Sequence, residues 1–319
     1  MRKIIYGALG LVLIGVIVLI MELNTSDIEA FTFSSVDVHE TRDVSAEGIR
    51  NILIDSPAVD VNVQPTSDDK IEAVFSGKVG KKSKDLYKLD FDKDGDTVKI
   101  SMEKENKFQF MMFNFTRVSL NIKVPEKVYH SIKLNAASGD MAVDEVEAKK
   151  LTIETKSGDI EVSDVRTEDT LSLTTSSGDI AANNNHSKRM EMETSSGDIT
   201  TKDNVAKGSD LLASSGDIIS DNQALEDSKI HTSSGDISVE MDELKGNIEL
   251  KASSGDIDVN FTKAPTSLTL DYKSSSGEGT AHIDDMKYSE KSEHRMIGEI
   301  GDGHVKLTAR TSSGDFQLK

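Results

Sequence analysis

The chain is expected to be all-β: a right-handed parallel β-solenoid of coils about 19–20 residues long, preceded by a β-rich cap and one N-terminal transmembrane helix. Three observations predict this. The first is a recurring phrase, Ser-Gly-Asp followed by an apolar residue, as in Ser138-Gly139-Asp140-Met141, Ser157-Gly158-Asp159-Ile160 and Ser177-Gly178-Asp179-Ile180. It returns at Gly197, Gly216, Gly235 and Gly255, weakens to Ser276-Gly277-Glu278, and closes the chain at Ser313-Gly314-Asp315-Phe316. The second is its period: from Gly139 to Gly255 successive glycines lie 19 or 20 residues apart. Stacked coils require a fixed period because equivalent residues sit above one another; an antiparallel meander has no such need. The third is alternation on both sides of the glycine. Leu151/Ile153 and Leu171/Leu173 precede it, Ile160/Val162 and Ile257/Val259 follow it, and polar residues lie between. That is the period of half-buried strands. Glycine is expected at the turn because it allows positive φ.

Residues 1–23 read as a transmembrane anchor. Arg2 and Lys3 precede an apolar run from Ile4 with no charge until Glu22. A run of about 20 such residues matches the thickness of a bilayer, and its exit lacks the small-x-small site of a cleaved signal. The basic start places the N-terminus in the cytoplasm and the remainder outside, in a single-pass arrangement at the cell membrane. Residues 24–46 are polar and read as a linker.

Residues 47–130 form a β-rich part, either degenerate coils or a cap on the first edge. Ile52-Leu53-Ile54, Val59 to Val63 and Ile71 to Phe75 carry strand patterns. Tyr87–Phe91 and Thr97–Met102 flank Lys93-Asp94-Gly95-Asp96, the signature of a hairpin. Residues 131–319 are the Ser-Gly-Asp-Ile repeat solenoid. About nine coils at roughly 4.8 Å each would extend about 40 Å. The period breaks between Gly277 and Gly314. Residues 279–306 are therefore expected to fold over the last edge, or else that edge stays open and pairs end to end with a partner strand or a second copy.

The stretch Glu47-Gly48-Ile49-Arg50-Asn51-Ile52-Leu53-Ile54-Asp55, then Asp60-Val61-Asn62-Val63 and the run of Ser-Gly-Asp-Ile repeats, resembles the putative-adhesin family of β-strand-repeat domains of unknown function. With the N-terminal anchor the whole resembles LiaG-type membrane proteins of the Lia cell-envelope stress system. The resemblance implies an extracytoplasmic, membrane-tethered protein connected with envelope stress. It brings no catalytic residues with it.

Composition narrows the function. A net charge of −19 argues against nucleic-acid binding, and the absence of Cys excludes disulfides and thiolate metal sites. Asp140, Asp159, Asp179, Asp198, Asp217, Asp236, Asp256 and Asp315 form a column. It is either a cation ladder or a set of turn carboxylates accepting amide hydrogen bonds, and the second is favoured because like charges about 4.8 Å apart in water repel by only about 1 kcal/mol. Asp90 to Asp96 imitates half of a calcium loop, but its twelfth position is Ser101. No cofactor or metal is expected.

Phe108, Phe110, Met112, Phe113 and Phe115 form the best binding candidate in the chain. It is a partner or membrane contact if exposed and a bulged core strand if buried. The seven histidines show no regular placement beside a serine or carboxylate, and the repeat Ser falls in the inward phase, so no enzyme activity is expected. The combined expectation is a membrane-anchored, extracytoplasmic, non-catalytic binding or scaffold protein linked to envelope stress, partnered by an envelope protein. Alternatives are an adhesin that binds a wall or surface polymer and a carbohydrate-active β-helix enzyme.

Overall fold

A computed structural model describes residues 35–80, 87–104, 117–221 and 224–319. The expected anchor 1–23 and the Phe108–Phe115 cluster lie outside them. Among the described residues no helix is long and apolar enough to cross a membrane.

Each coil contributes one strand before its glycine and one after it. Glu147–Glu154 and Ile160–Ser163 make one coil, and Arg166–Thr174 and Ile180–Asn183 the next. Strands of successive coils pair in parallel with like on like: Leu151 faces Leu171 and Ile132, and Ile160 faces Ile180 and Met141. The preceding strands build a 14-stranded sheet and the following ones a 13-stranded sheet. Alternate residues of both point into one continuous apolar core. Burying each Ile or Leu of this core contributes about 1.5–3 kcal/mol. Ser209 and Ser228 take the place of an apolar residue in their coils; both are buried, with their hydroxyls 2.7 Å apart.

The second corner of the coil supplies the left-handed residues. Glu145, Asp164, Asn184 and Asp203 have φ between 51° and 55°, and none is glycine. After them come Val146 and Val165, then Asn185 and Asn204, all buried. Asn185 accepts from the amide of Val165 at 2.9 Å and donates to the carbonyl of Val162 at 2.9 Å, so the buried amide has its partners.

The N-terminal region is both degenerate coil and cap. Asn51–Ser56 pairs in parallel with Val128–Ala136, and Asp60–Thr66 with Met141–Asp144. Residues 51–66 are thus a full coil under the first Ser-Gly-Asp coil. Thr97–Lys104 and Arg117–Pro125 add a further parallel coil outside it. Antiparallel strands then finish the edges: Tyr87–Asp94 on one sheet, and Lys70–Gly80 followed by Ser35–Ser45 on the other. The expected hairpin is present, with Asp94 facing Thr97 across a two-residue loop whose first residue, Gly95, has φ +59°, as a type II′ turn requires. Residues 35–45 differ from the expected linker 24–46. They form an edge strand, and their charge hides the strand pattern.

At the other end the chain turns back one coil. The coil of Lys306–Thr311 and Phe316–Leu318 lies between the coils of Gly255 and Gly277, pairing with Ile248–Ala252 on one side and Leu268–Lys273 on the other. The two ends thus share one device: the coils 51–66 and 306–318 are both covered by chain that is nearer the middle of the sequence. Residues 282–305, where the period fails, hold the antiparallel strands Lys287–Ser292 and Arg295–Ile300, which cover the edge of the 14-stranded sheet. The exposed edges are the three-residue strand Gly279–Ala281 and the charged strand Lys287–Ser292. Short and charged edges discourage unwanted pairing.

Candidate functional site

The repeated corner is organised by contact rather than by φ. Of the repeat glycines only Gly139 has positive φ. From Gly158 to Gly255, and at Gly314 and Gly277, an added Cβ would lie 1.7–2.0 Å from the carbonyl oxygen of the glycine in the neighbouring coil. The serine before each glycine is exposed, and the glycine itself is buried at every repeat but the first, where Gly139 is half-buried, so the inward phase expected of that serine ends at the small residue two before it. At four of the five threonines in that position the hydroxyl clamps two coils, while Thr155 only accepts from the amide of Gly158 at 3.4 Å. Thr194 Oγ1 donates to the carbonyl of Gly178 at 3.0 Å and accepts from the amide of Gly197 at 3.1 Å; Thr175, Thr232 and Thr311 repeat this.

The aspartate column is a hydrogen-bond ladder. Each amide donates to Oδ1 of the aspartate in the neighbouring coil: Asp159 to Asp140 at 3.0 Å, and Asp179 to Asp159, Asp198 to Asp179, Asp217 to Asp198, Asp236 to Asp217 and Asp256 to Asp236 at 2.8 Å. Asp60 begins it, accepting from Asp140 at 3.1 Å. In spatial order it ends with Asp315 on Asp256 at 2.7 Å and Glu278 on Asp315 at 2.8 Å. Asp198→Ala is expected to lower the melting temperature by about 2–4 °C. Asp198→Asn, which keeps Oδ1, should change it little. Calorimetry with and without Ca²⁺ checks this: stabilisation by Ca²⁺ that Asp198→Asn abolishes would restore the cation ladder.

Chemistry is concentrated at the C-terminal end of the 14-stranded sheet. Lys273, Ser274, Glu290, His294, Arg295 and Arg310 line an open concavity of about 650 Å³. Beside it Asp271, with 16% of its side chain exposed, gathers three cations. Arg295 Nη1 lies 2.5 Å and Arg310 Nη2 2.9 Å from its Oδ1, and Lys306 Nζ lies 3.1 Å from its Oδ2. Burial alone would push the Asp271 carboxyl up; hydrogen bonds from Arg310, Arg295 and Lys306 outweigh it and hold the group well below the usual carboxylate range.

Ser274 and His294 invite an enzymatic reading that their geometry does not support. Ser274 Oγ donates to the carbonyl of Gly277, and His294 Nδ1 lies 2.8 Å from the same oxygen. An Nδ1 that donates there is protonated, and so has no lone pair for the serine 3.4 Å away. His231, on the same sheet, has its pKa lowered by burial against the attraction of Glu249 at 3.7 Å, and its ring Nε2 has no hydrogen-bond partner.

Residues 49–319 match the family model described as Toastrack DUF4097. No curated protein matches the sequence. Among solved structures, a putative lipid binding protein from Parabacteroides distasonis is 19% identical, with a TM-score of 0.51 over 88% of this chain and 97% of that one. A putative adhesin from the same organism is 14% identical, with a TM-score of 0.48 over 88% and 97%. A putative adhesin from Parabacteroides merdae is 14% identical, with a TM-score of 0.49 over 88% and 96%.

Proposed function

The chain belongs to the Toastrack DUF4097 family, and on that premise we propose that it is a membrane-anchored, extracytoplasmic, non-catalytic binding or scaffold protein of the LiaG type, linked to the cell-envelope stress response. One observation carries the binding reading. Buried polar groups along the stack hold coil to coil, whereas the concavity at its C-terminal end presents cations to solvent. The apolar run Ile4–Met21 supports the anchor, and Phe108 to Phe115 remain the candidate contact for a partner or a lipid surface. A second reading, an adhesin for a wall or surface polymer, is supported by the same concavity.

Crosslinking and pull-down of the full-length protein from its own membranes under antibiotic stress tests the proposal. A specific envelope protein, lost when Phe110 and Phe113 are changed to Ser in a chain whose circular dichroism is unaltered, is the expected result. Recovery of wall polymer alone would replace the scaffold reading with the adhesin. Substrate turnover would overturn both.

A further inference from the structure

The outward residues of the 14-stranded sheet that precede the inward small position of each coil form a column whose charge changes sign. Along paired strands it runs Asp55, Asn135, Glu154, Thr174, Glu193, Leu212, His231, Lys251, Arg310, Lys273, Arg295. The last four are cations on four adjacent strands. Neighbouring strands lie about 4.8 Å apart, so this row spans about 15 Å. We propose that Lys251, Arg310, Lys273 and Arg295 are successive contacts for a linear phosphate-bearing polyanion that lies across the strands and enters the concavity beside them. This deepens the binding reading above by naming the ligand class.

Three surface lysines outside this row, Lys133, Lys123 and Lys149, are matched across strands, with Glu154 at 3.1 Å, Glu72 at 3.2 Å and Glu168 at 3.3 Å. Others, such as Lys188 and Lys207, stand without an ion pair among the described residues and with no arginine beside them in a cationic row. Among the described residues Lys251 and Lys273 have no such carboxylate, although each stands beside an arginine in the row. Neighbouring like charges repel by about 1 kcal/mol in water, and an anion laid between them removes that cost. The arginines are held in place with donors to spare. Arg295 directs Nη1 to Asp271 and the carbonyl of Tyr272, and Arg310 uses Nη1 on the carbonyls of Asp271 and Ala309 and part of Nη2 on Asp271. A guanidinium carries five N–H groups, so each arginine keeps some for a ligand. Glu290, 54% exposed, makes only a 3.7 Å contact with Arg295 Nε, which an incoming oxyanion displaces.

Lys251, Arg310, Lys273, Arg295 and Lys306 against Asp271, Glu290 and Glu249 leave a local charge of 5 − 3 = +2 on a chain of net −19. Screening over about 8 Å at physiological salt lets this local charge govern contact. Phosphate is favoured over carboxylate because it offers more acceptor oxygens and can be shared between neighbouring cations.

The test uses the full chain in neutral detergent, titrated with inorganic polyphosphate over a range of salt concentrations. Saturable binding that weakens with salt is expected. Lys251→Gln/Lys273→Gln leaves the Asp271 cluster intact and should weaken binding about tenfold or more, lowering the salt slope by about two. Lys188→Gln/Lys207→Gln, with the same charge change on exposed lysines elsewhere, should bind as the parent does. Equal loss in both variants, equally tight binding of monophosphate or of polyglutamate, or binding confined to anionic phospholipid vesicles would each overturn the proposal. Thermal unfolding of both variants at the parent's temperature confirms that the fold is kept. An envelope protein in the pull-down without polyphosphate binding would sink this inference alone and leave the scaffold reading standing.

Discussion

Gly197→Ala is expected to destabilise the protein by about 3 kcal/mol or more, the upper end of what overpacking costs. Its φ lies outside the left-handed region, so conformational entropy alone would make alanine mildly stabilising. Contact reverses that sign. The new Cβ would sit 1.9 Å from the carbonyl oxygen of Gly178, 2.4 Å from its carbon and 2.8 Å from Asp179 Oδ1. Relief requires the two coils to separate at the corner, which stretches the hydrogen bonds from Asp198 to Asp179 and from Thr194 to Gly178. The contrast is Gly48→Ala. There φ is +75° and nothing lies within 4 Å of the added atom, so only backbone strain of about 1–2 kcal/mol opposes it. Urea unfolding of the two variants beside the parent measures the difference. Equal, small losses would mean that the coils part easily and that the glycine is kept for its φ after all.

This contrast also shows what could be read from the sequence. Period and alternation gave away the stack because stacking forces both: Leu151 must face Leu171, and Asp159 must face Asp179. The reason for the glycine was hidden, since a turn and a close approach demand the same residue. Asp60 went unrecognised as the first rung because Pro57-Ala58-Val59 stands in front of it where the other rungs have Ser-Ser-Gly or its like. Residues 35–45 lacked a strong strand pattern because an edge strand with one partner keeps its charges in solvent. The cationic row was the least legible feature. His231 and Lys251 lie one 20-residue period apart, but Lys273, Arg295 and Arg310 do not continue that period in spatial order. Those three join the row only because the chain's last coil inserts between two earlier ones and an antiparallel strand closes the sheet.

The same end of the molecule carries the second large effect. Asp271→Asn at neutral pH should cost about 2–3 kcal/mol, somewhat below a fully buried ion pair because 16% of the side chain meets solvent. The amide keeps the shape but leaves Arg295, Arg310 and Lys306 facing one another without the shared anion. The sign of the pH dependence follows from the depressed carboxyl. A group whose pKa is lower folded than unfolded stabilises the fold above its unfolded value, about 3.9, and loses that contribution as pH falls towards the folded one. The gap between parent and variant should therefore be full at pH 7 and close only in strong acid, which denaturant unfolding at a series of pH values will show. A gap that is absent at pH 7 would mean that solvent already compensates the three cations. If the variant remains folded, it separates two roles of this cluster. Removing the carboxylate weakens the scaffold and raises the local positive charge, so polyphosphate affinity should rise while stability falls. A fall in both would mean that Asp271 serves the row by fixing its arginines, and that their placement matters more than their charge.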